Sequence, residues 1–221
     1  MSPELSIPIG ATTLKGVARI PPGARGLALF AHGSGSGRLS PRNNYVAECL
    51  YQSGFATLLF DLLTAEEEEI DAVTAELRFD IPLLTDRLAA TTLWTRRQPQ
   101  FQRLSVGYFG ASTGAAAALA AAVRVPGIGA IVSRGGRPDL AGSALDEVRA
   151  ATLLIVGGND PEVLALNRAA LERLKCEARL EIVANASHLF VEPGALEQVA
   201  SLASAWFARH LTAAAPVPAP G

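Results

Sequence analysis

Several residue types are scarce in this chain, and each scarcity excludes something. Two cysteines, Cys49 and Cys176, and three histidines occur in 221 residues. The cysteines have neither disulfide-framework nor metal-ligand spacing. Both are expected to be reduced, packed thiols in a cytoplasmic protein, with no metal and no cofactor. Charged residues make up 18%, the net charge is −2, and no basic cluster stands out. Nucleic-acid binding therefore lacks electrostatic support. No apolar run approaches a membrane span; the longest, residues 115–123, is mostly alanine. The first residues, Met1 to Ser6, lack the basic region and apolar core of a secretory signal.

What is present is apolar residues, nearly half of the chain. That suffices for one sizeable core. The expectation is a single domain over residues 1–212, with an Ala/Pro-rich, frayed tail at 213–221. Apolar runs at 5–9, 13–20, 26–31, 55–63, 104–111, 128–133, 152–156 and 179–184 predict eight strands. Pro8 suits an edge strand. Helical patterns fall at about 41–53, 80–95, 113–123, 161–175 and 193–211, with a short piece near 143–149. The acidic run at 66–69 predicts a solvated helical turn with no functional part. Strands alternating with helices imply βαβ units and a mostly parallel sheet flanked by helices.

The chemistry centres on Gly110-Ala111-Ser112-Thr113-Gly114, which lies between a strand and an alanine-rich helix. G-x-S-x-G in that setting is the pattern of a nucleophile elbow, which lifts the serine hydroxyl above the sheet edge. Alternatively, Ser112 is simply an N-cap. A base must share that edge. His188 follows the last strand and is placed to take the Ser112 proton and return it to a leaving group. His210, near the end of the last helix, reads as a capping or solvent-facing residue. The acid expected between serine and histidine in chain order is Asp160, which follows the strand at 152–156. Asp160 before Pro161 is equally a good helix N-cap, and Asp139 is the alternative acid.

An oxyanion hole needs two backbone N–H groups. Thr113, next after the nucleophile, supplies one. The loop His32-Gly33-Ser34-Gly35 supplies the other, from Ser34. His32 braces that loop or reaches the substrate. Arg134 and Arg137 are placed to bind a substrate carboxylate, with a structural ion pair as the alternative. Arg38 and Arg42 are weaker candidates for the same task.

With Ser112, Asp160 and His188 in that order, the chain resembles the α/β-hydrolase superfamily over nearly its whole length. More narrowly, it is similar to dienelactone-hydrolase-related small hydrolases. The narrower likeness rests on Ala31-His32-Gly33-Ser34-Gly35-Ser36-Gly37, Ser40-Pro41-Arg42-Asn43, Leu58-Leu59-Phe60-Asp61-Leu62-Leu63-Thr64, Gly107 to Gly114 and Val132 to Leu140. The resemblance implies an α/β-hydrolase fold of eight strands without a cap domain. It implies an open, shallow site and a serine hydrolase acting on a small ester or thioester. Dienelactone hydrolases proper carry a cysteine nucleophile where this chain has Ser112, which separates ester hydrolysis from the dienelactone substrate. Some relatives of this group are fused to phosphoribosyltransferase domains, and no such domain is expected here. A homodimer is compatible with the chain; nucleic-acid and membrane partners are not expected.

Two other function classes compete. A nucleotide site is suggested by Gly33-Ser34-Gly35-Ser36-Gly37 with Asp61 beyond, but Arg38 stands where the third glycine of G-x-G-x-x-G belongs. A non-catalytic binding module on a hydrolase fold would leave the three candidate triad residues without a task.

Overall fold

The computed structural model describes residues 4–211; the tail expected at 213–221 lies outside them. The strands are β1 (Glu4–Ile9), β2 (Thr12–Arg19), β3 (Leu27–Ala31), β4 (Ala56–Phe60), β5 (Val106–Ala111), β6 (Ile128–Arg134), β7 (Ala151–Gly157) and β8 (Ala178–Val183). The helices are α1 (Pro41–Gln52), α2 (Ala65–Thr74), α3 (Ile81–Thr95), α4 (Thr113–Arg124), α5 (Pro161–Arg173) and α6 (Ala195–His210). Short 3-10 stretches cover Leu77–Phe79 and Pro138–Asp146.

All eight strands form one sheet in the order β1-β2-β4-β3-β5-β6-β7-β8. β1 pairs antiparallel with β2, and β2 antiparallel with β4. Every other pair is parallel. Pro8, which cannot donate to a ladder, sits in β1 at the sheet edge, where the missing donor costs least. β3, β4 and β5 are buried along their whole length, because helices cover both faces.

Each face of the sheet has its own core. One packs Leu84 and Leu88 of α3, Ala116 to Leu119 of α4 and Ala170 of α5 onto Leu29, Tyr108 and Ile131. The other packs Val46 and Leu50 of α1 and Val199, Ala203 and Phe207 of α6 onto Phe30, Phe109 and Val132. Across the second, the rings of Phe30 and Phe109 lie 4.8 Å apart, a pairing that adds about 0.5–1.5 kcal/mol beyond its area. Ala115 to Ala118 and Ala121 of α4 are fully buried and let that helix lie close to β5.

Three expectations need correction. The strand predicted over 55–63 ends at Phe60, since Asp61 turns its carboxylate to accept from the Arg38 amide. The last helix starts at Ala195 because Gly194 is left-handed, at φ 80°. The acidic run is helical and largely exposed, as expected, but it belongs to a full helix, the first half of α2, rather than to a single turn. There Thr64 and Glu67 form a reciprocal capping box, which satisfies two otherwise orphaned amides. Glu67 also pairs with Arg87 of α3 at 2.6 Å, and buried Asp71 with Arg78 at 2.7 Å.

Candidate active site

The carboxyl ends of the parallel strands share one edge, the edge where open α/β sheets gather their functional groups. β3 delivers His32 to it, β5 Ser112, β6 Arg134 and Gly135, β7 Asp160, and β8 the loop carrying His188. Five segments far apart in sequence thus converge on one region.

Ser112 sits at φ 50°, ψ −120° between β5 and α4. For a residue with a β-carbon this costs about 1–3 kcal/mol. The turn is held from both sides. The Ser112 amide donates to Arg134 O at 3.2 Å, and its carbonyl accepts from Arg137 N and Ala115 N, both at 3.1 Å. The flanking glycines are a matter of space. A β-carbon at Gly110 would lie 2.5 Å from Ala115 Cα, and one at Gly114 would lie 2.2 Å from Ala31 O. Ser112 occupies the N-cap position of α4, but its side chain makes no cap hydrogen bond to the helix.

His188 Nδ1 and Asp160 Oδ2 are 2.6 Å apart. The Asp160 side chain makes no cap hydrogen bond to α5, although it occupies the N-cap position. Its carboxylate is given to the imidazole instead. Asp139, the alternative acid, is occupied: both its oxygens accept from Arg137, at 2.9 and 2.7 Å. His188 borders Gly135, where a β-carbon would meet the His188 carbonyl oxygen at 3.2 Å and Cε1 at 3.5 Å. Among the described residues no hydrogen bond joins Ser112 Oγ to His188. Glu192 escaped the sequence reading. Its carboxyl, beside the Ser187 hydroxyl and amide in the loop that carries His188, is held below the usual range by them. An acid five residues past a loop serine is too weak a pattern to single out.

The oxyanion loop packs directly on the elbow. A β-carbon at Gly33 would lie 2.9 Å from Ser112 Cβ, and Ser34 Oγ meets Thr113 Oγ1 at 3.2 Å. The amides of Ser34 and Thr113 have no acceptor among the described residues. His32 braces the loop, because both its ring nitrogens are engaged by backbone, and it also lines the cavity beside Ser34. Nε2 accepts from Leu62 N at 2.9 Å, and Nδ1 lies 3.0 Å from Gly33 O, which assigns the proton to Nδ1. Burial pushes the His32 pKa down, so the ring is neutral.

The four candidate arginines divide into two pairs. Arg137 is held by Asp139 in a two-pronged contact, which raises its pKa and ties up its guanidinium. Arg38 is held by Asp61 and Glu4. Arg134 and Arg42 have no carboxylate partner among the described residues. Burial, with the neighbouring charge of Arg42, pushes the Arg134 pKa down to about 10. His210 packs against Trp206, with ring centroids 4.3 Å apart, instead of facing solvent. Cys49 and Cys176 are free and partly buried.

Beside Ser34 and Thr113 opens a cavity of about 570 Å³, lined also by Arg42, Asp61, Glu68 and Arg78. The cavity adjoins the elbow through Ser34 and Thr113. α2 and the Leu77–Phe79 stretch supply its far wall, not an insertion after β6. Among the described residues no helix is long and apolar enough to cross a membrane. None of their His, Cys, Asp and Glu side chains cluster in a way that could hold a metal ion.

The sequence profile of the dienelactone hydrolase family matches residues 37–212. The crystal structure of a dienelactone hydrolase from Anabaena variabilis is 59% identical, covers 96% of this chain and 98% of its own, and superposes with a TM-score of 0.94. Est1E from Butyrivibrio proteoclasticus shares the fold at a TM-score of 0.78 and 15% identity, covering 94% of this chain and 98% of its own. Two Mycobacterium tuberculosis proteins provisionally named phosphoribosyl transferases are 54% identical over 96% of this chain. The chain spans about half of their length, 47%.

Proposed function

Because the chain belongs to the dienelactone hydrolase family, we propose that it cleaves a carboxylic ester or thioester through an acyl-enzyme on Ser112. Ser112 Oγ attacks the acyl carbon while His188 Nε2 takes its proton. Asp160 accepts from His188 Nδ1, which fixes the tautomer and stabilises the imidazolium. The Ser34 and Thr113 amides receive the oxyanion; each such donor is worth about 2.7–4 kcal/mol in the transition state. His188 then protonates the leaving oxygen or sulfur, and water, activated by the same imidazole, releases the acid.

The observation that carries this reading is the use made of Asp160. At an N-cap position ahead of Pro161, its carboxylate goes to His188 and not to the helix. The phosphoribosyl transferase name belongs to proteins of which this chain matches 47%, and an elbow serine with a His–Asp pair serves acyl transfer. The test is turnover of p-nitrophenyl acetate and butyrate by wild type and Ser112→Ala. Loss of the serine is expected to remove up to about 10⁶-fold of the rate. Equal rates in the two proteins would reject the nucleophile and favour a binding module.

A further inference from the structure

Arg134 ends β6 and is 7% exposed. It is next to the nucleophile in the sheet: Ala111 is its partner in the β5–β6 register, and the Ser112 amide donates to its carbonyl. Its guanidinium lies between the ring of Phe190, 5.9 Å from the centroid, and Asn43 in the first turn of α1, whose Oδ1 accepts at 3.4 Å. Among the described residues, Arg134 Nε has no acceptor, and neither does the buried Nε of Arg42. Arg42 directly precedes Asn43 in α1, so both arginines lie at the first turn of that helix, and among the described residues neither has a carboxylate partner.

The surroundings add positive charge. α1 starts here with Ser40 as N-cap and has no acidic residue in its first turn. Its N-terminus therefore adds roughly half a positive charge, although Pro41 has no N–H and Ser40 already accepts from Asn43 N. Burying a guanidinium beside another cation is strongly unfavourable unless an anion joins them. Arg42 also lines the cavity that reaches Ser34 and Thr113, so such an anion could be part of a molecule whose acyl carbon reaches Ser112. One carboxylate would neutralise only one of the two guanidinium groups. A phosphate monoester carries about −1.5 to −2 charge at pH 7 and three acceptor oxygens, enough for two arginine forks and a helix N-terminus.

We propose that Arg42, Arg134 and the N-terminus of α1 form a subsite for a phosphate monoester group carried by the ester or thioester that Ser112 cleaves. This rests on the reading of Ser112 as nucleophile. The substrate class is then a phosphorylated acyl compound or an acyl ester of a phosphorylated alcohol.

The probes are inorganic phosphate and acetate, with p-nitrophenyl acetate as a neutral reporter. Phosphate is expected to raise the KM for the reporter without changing kcat, and to raise the Tm of the wild type. In Arg42→Gln the inhibition constant for phosphate should rise at least about tenfold, as for loss of a charge-assisted contact. Arg134→Lys should weaken phosphate less than Arg134→Gln does. If the Arg134 variants do not fold, Arg42→Gln carries the comparison. Phosphate that neither competes nor shifts Tm, or that acts equally on wild type and Arg42→Gln, overturns the subsite. Acetate competing more tightly than phosphate overturns the choice of phosphate. If the wild type fails to turn over the reporter, the Ser112 reading fails, while the phosphate-induced Tm shift still tests the subsite separately.

Discussion

Asp160 gives its carboxylate to His188 Nδ1 at 2.6 Å and leaves the end of α5 without a side-chain cap. An aspartate at an N-cap ordinarily contributes about 1 kcal/mol by accepting from the first turn. Here that contribution is forgone.

Asp160→Asn should therefore separate activity from stability. An amide at this position favours the wrong imidazole tautomer, and kcat should fall by about 10⁴-fold. The urea midpoint should barely move, since no cap bond is lost. Paired measurement of kcat and midpoint checks this. A large drop in midpoint with little change in kcat would return Asp160 to a purely structural role.

The glycines of the elbow divide by the space around them. Gly114→Ala would put a β-carbon 2.2 Å from Ala31 O and 2.4 Å from His32 O, both backbone atoms that cannot swing away. It should cost at least about 3 kcal/mol, at or above the upper end of ordinary overpacking. It should also shift the oxyanion loop. Gly158→Ala, in the same edge region, meets nothing closer than 3.4 Å and should stay within about 1 kcal/mol of wild type. Urea unfolding of the two variants provides the comparison.

His32 makes stability depend on pH in a defined direction. Burial lowers its pKa in the folded state below the unfolded value of 6.5, and Nε2 must stay unprotonated to accept from Leu62 N. Below that value the unfolded chain binds more protons than the folded one, so stability rises with pH and falls as pH drops below about 6.5. Above it the ring is neutral in both states and contributes no slope. His32→Gln should unfold more easily at pH 8, yet lose less of its remaining stability between pH 7 and 5. Urea midpoints across that range measure the difference in slope.

Much of this was legible in the sequence. The elbow and the loop histidine obey local rules: a strand, a tight turn and a helix leave a recognisable pattern of glycine around Ser112, and His188 directly follows a strand. Pro8 likewise announced an edge strand. Other features needed tertiary structure. α2 has no clear apolar stripe, and Ile70 and Val73 are exposed. Its position depends on ion pairs with Arg78 and Arg87 that no periodicity reveals. For that reason the cavity wall that α2 supplies was missed. The arginines looked alike in sequence, and only the partners separate them: Asp139 and Asp61 claim Arg137 and Arg38, and leave Arg134 and Arg42 unpaired. Asp160 read as the acid with an N-cap as the alternative, and the direction of its carboxylate, toward His188 and away from α5, supports the acid.

The central claim is that Ser112 is the nucleophile, and it is tested most directly by covalent capture. A fluorophosphonate reagent phosphonylates an activated serine with loss of fluoride, and peptide mass spectrometry locates the adduct. The account predicts one adduct per chain, on Ser112, absent from Ser112→Ala and formed far more slowly in Asp160→Asn. An adduct on another residue, or labelling that persists in Ser112→Ala, would contradict it.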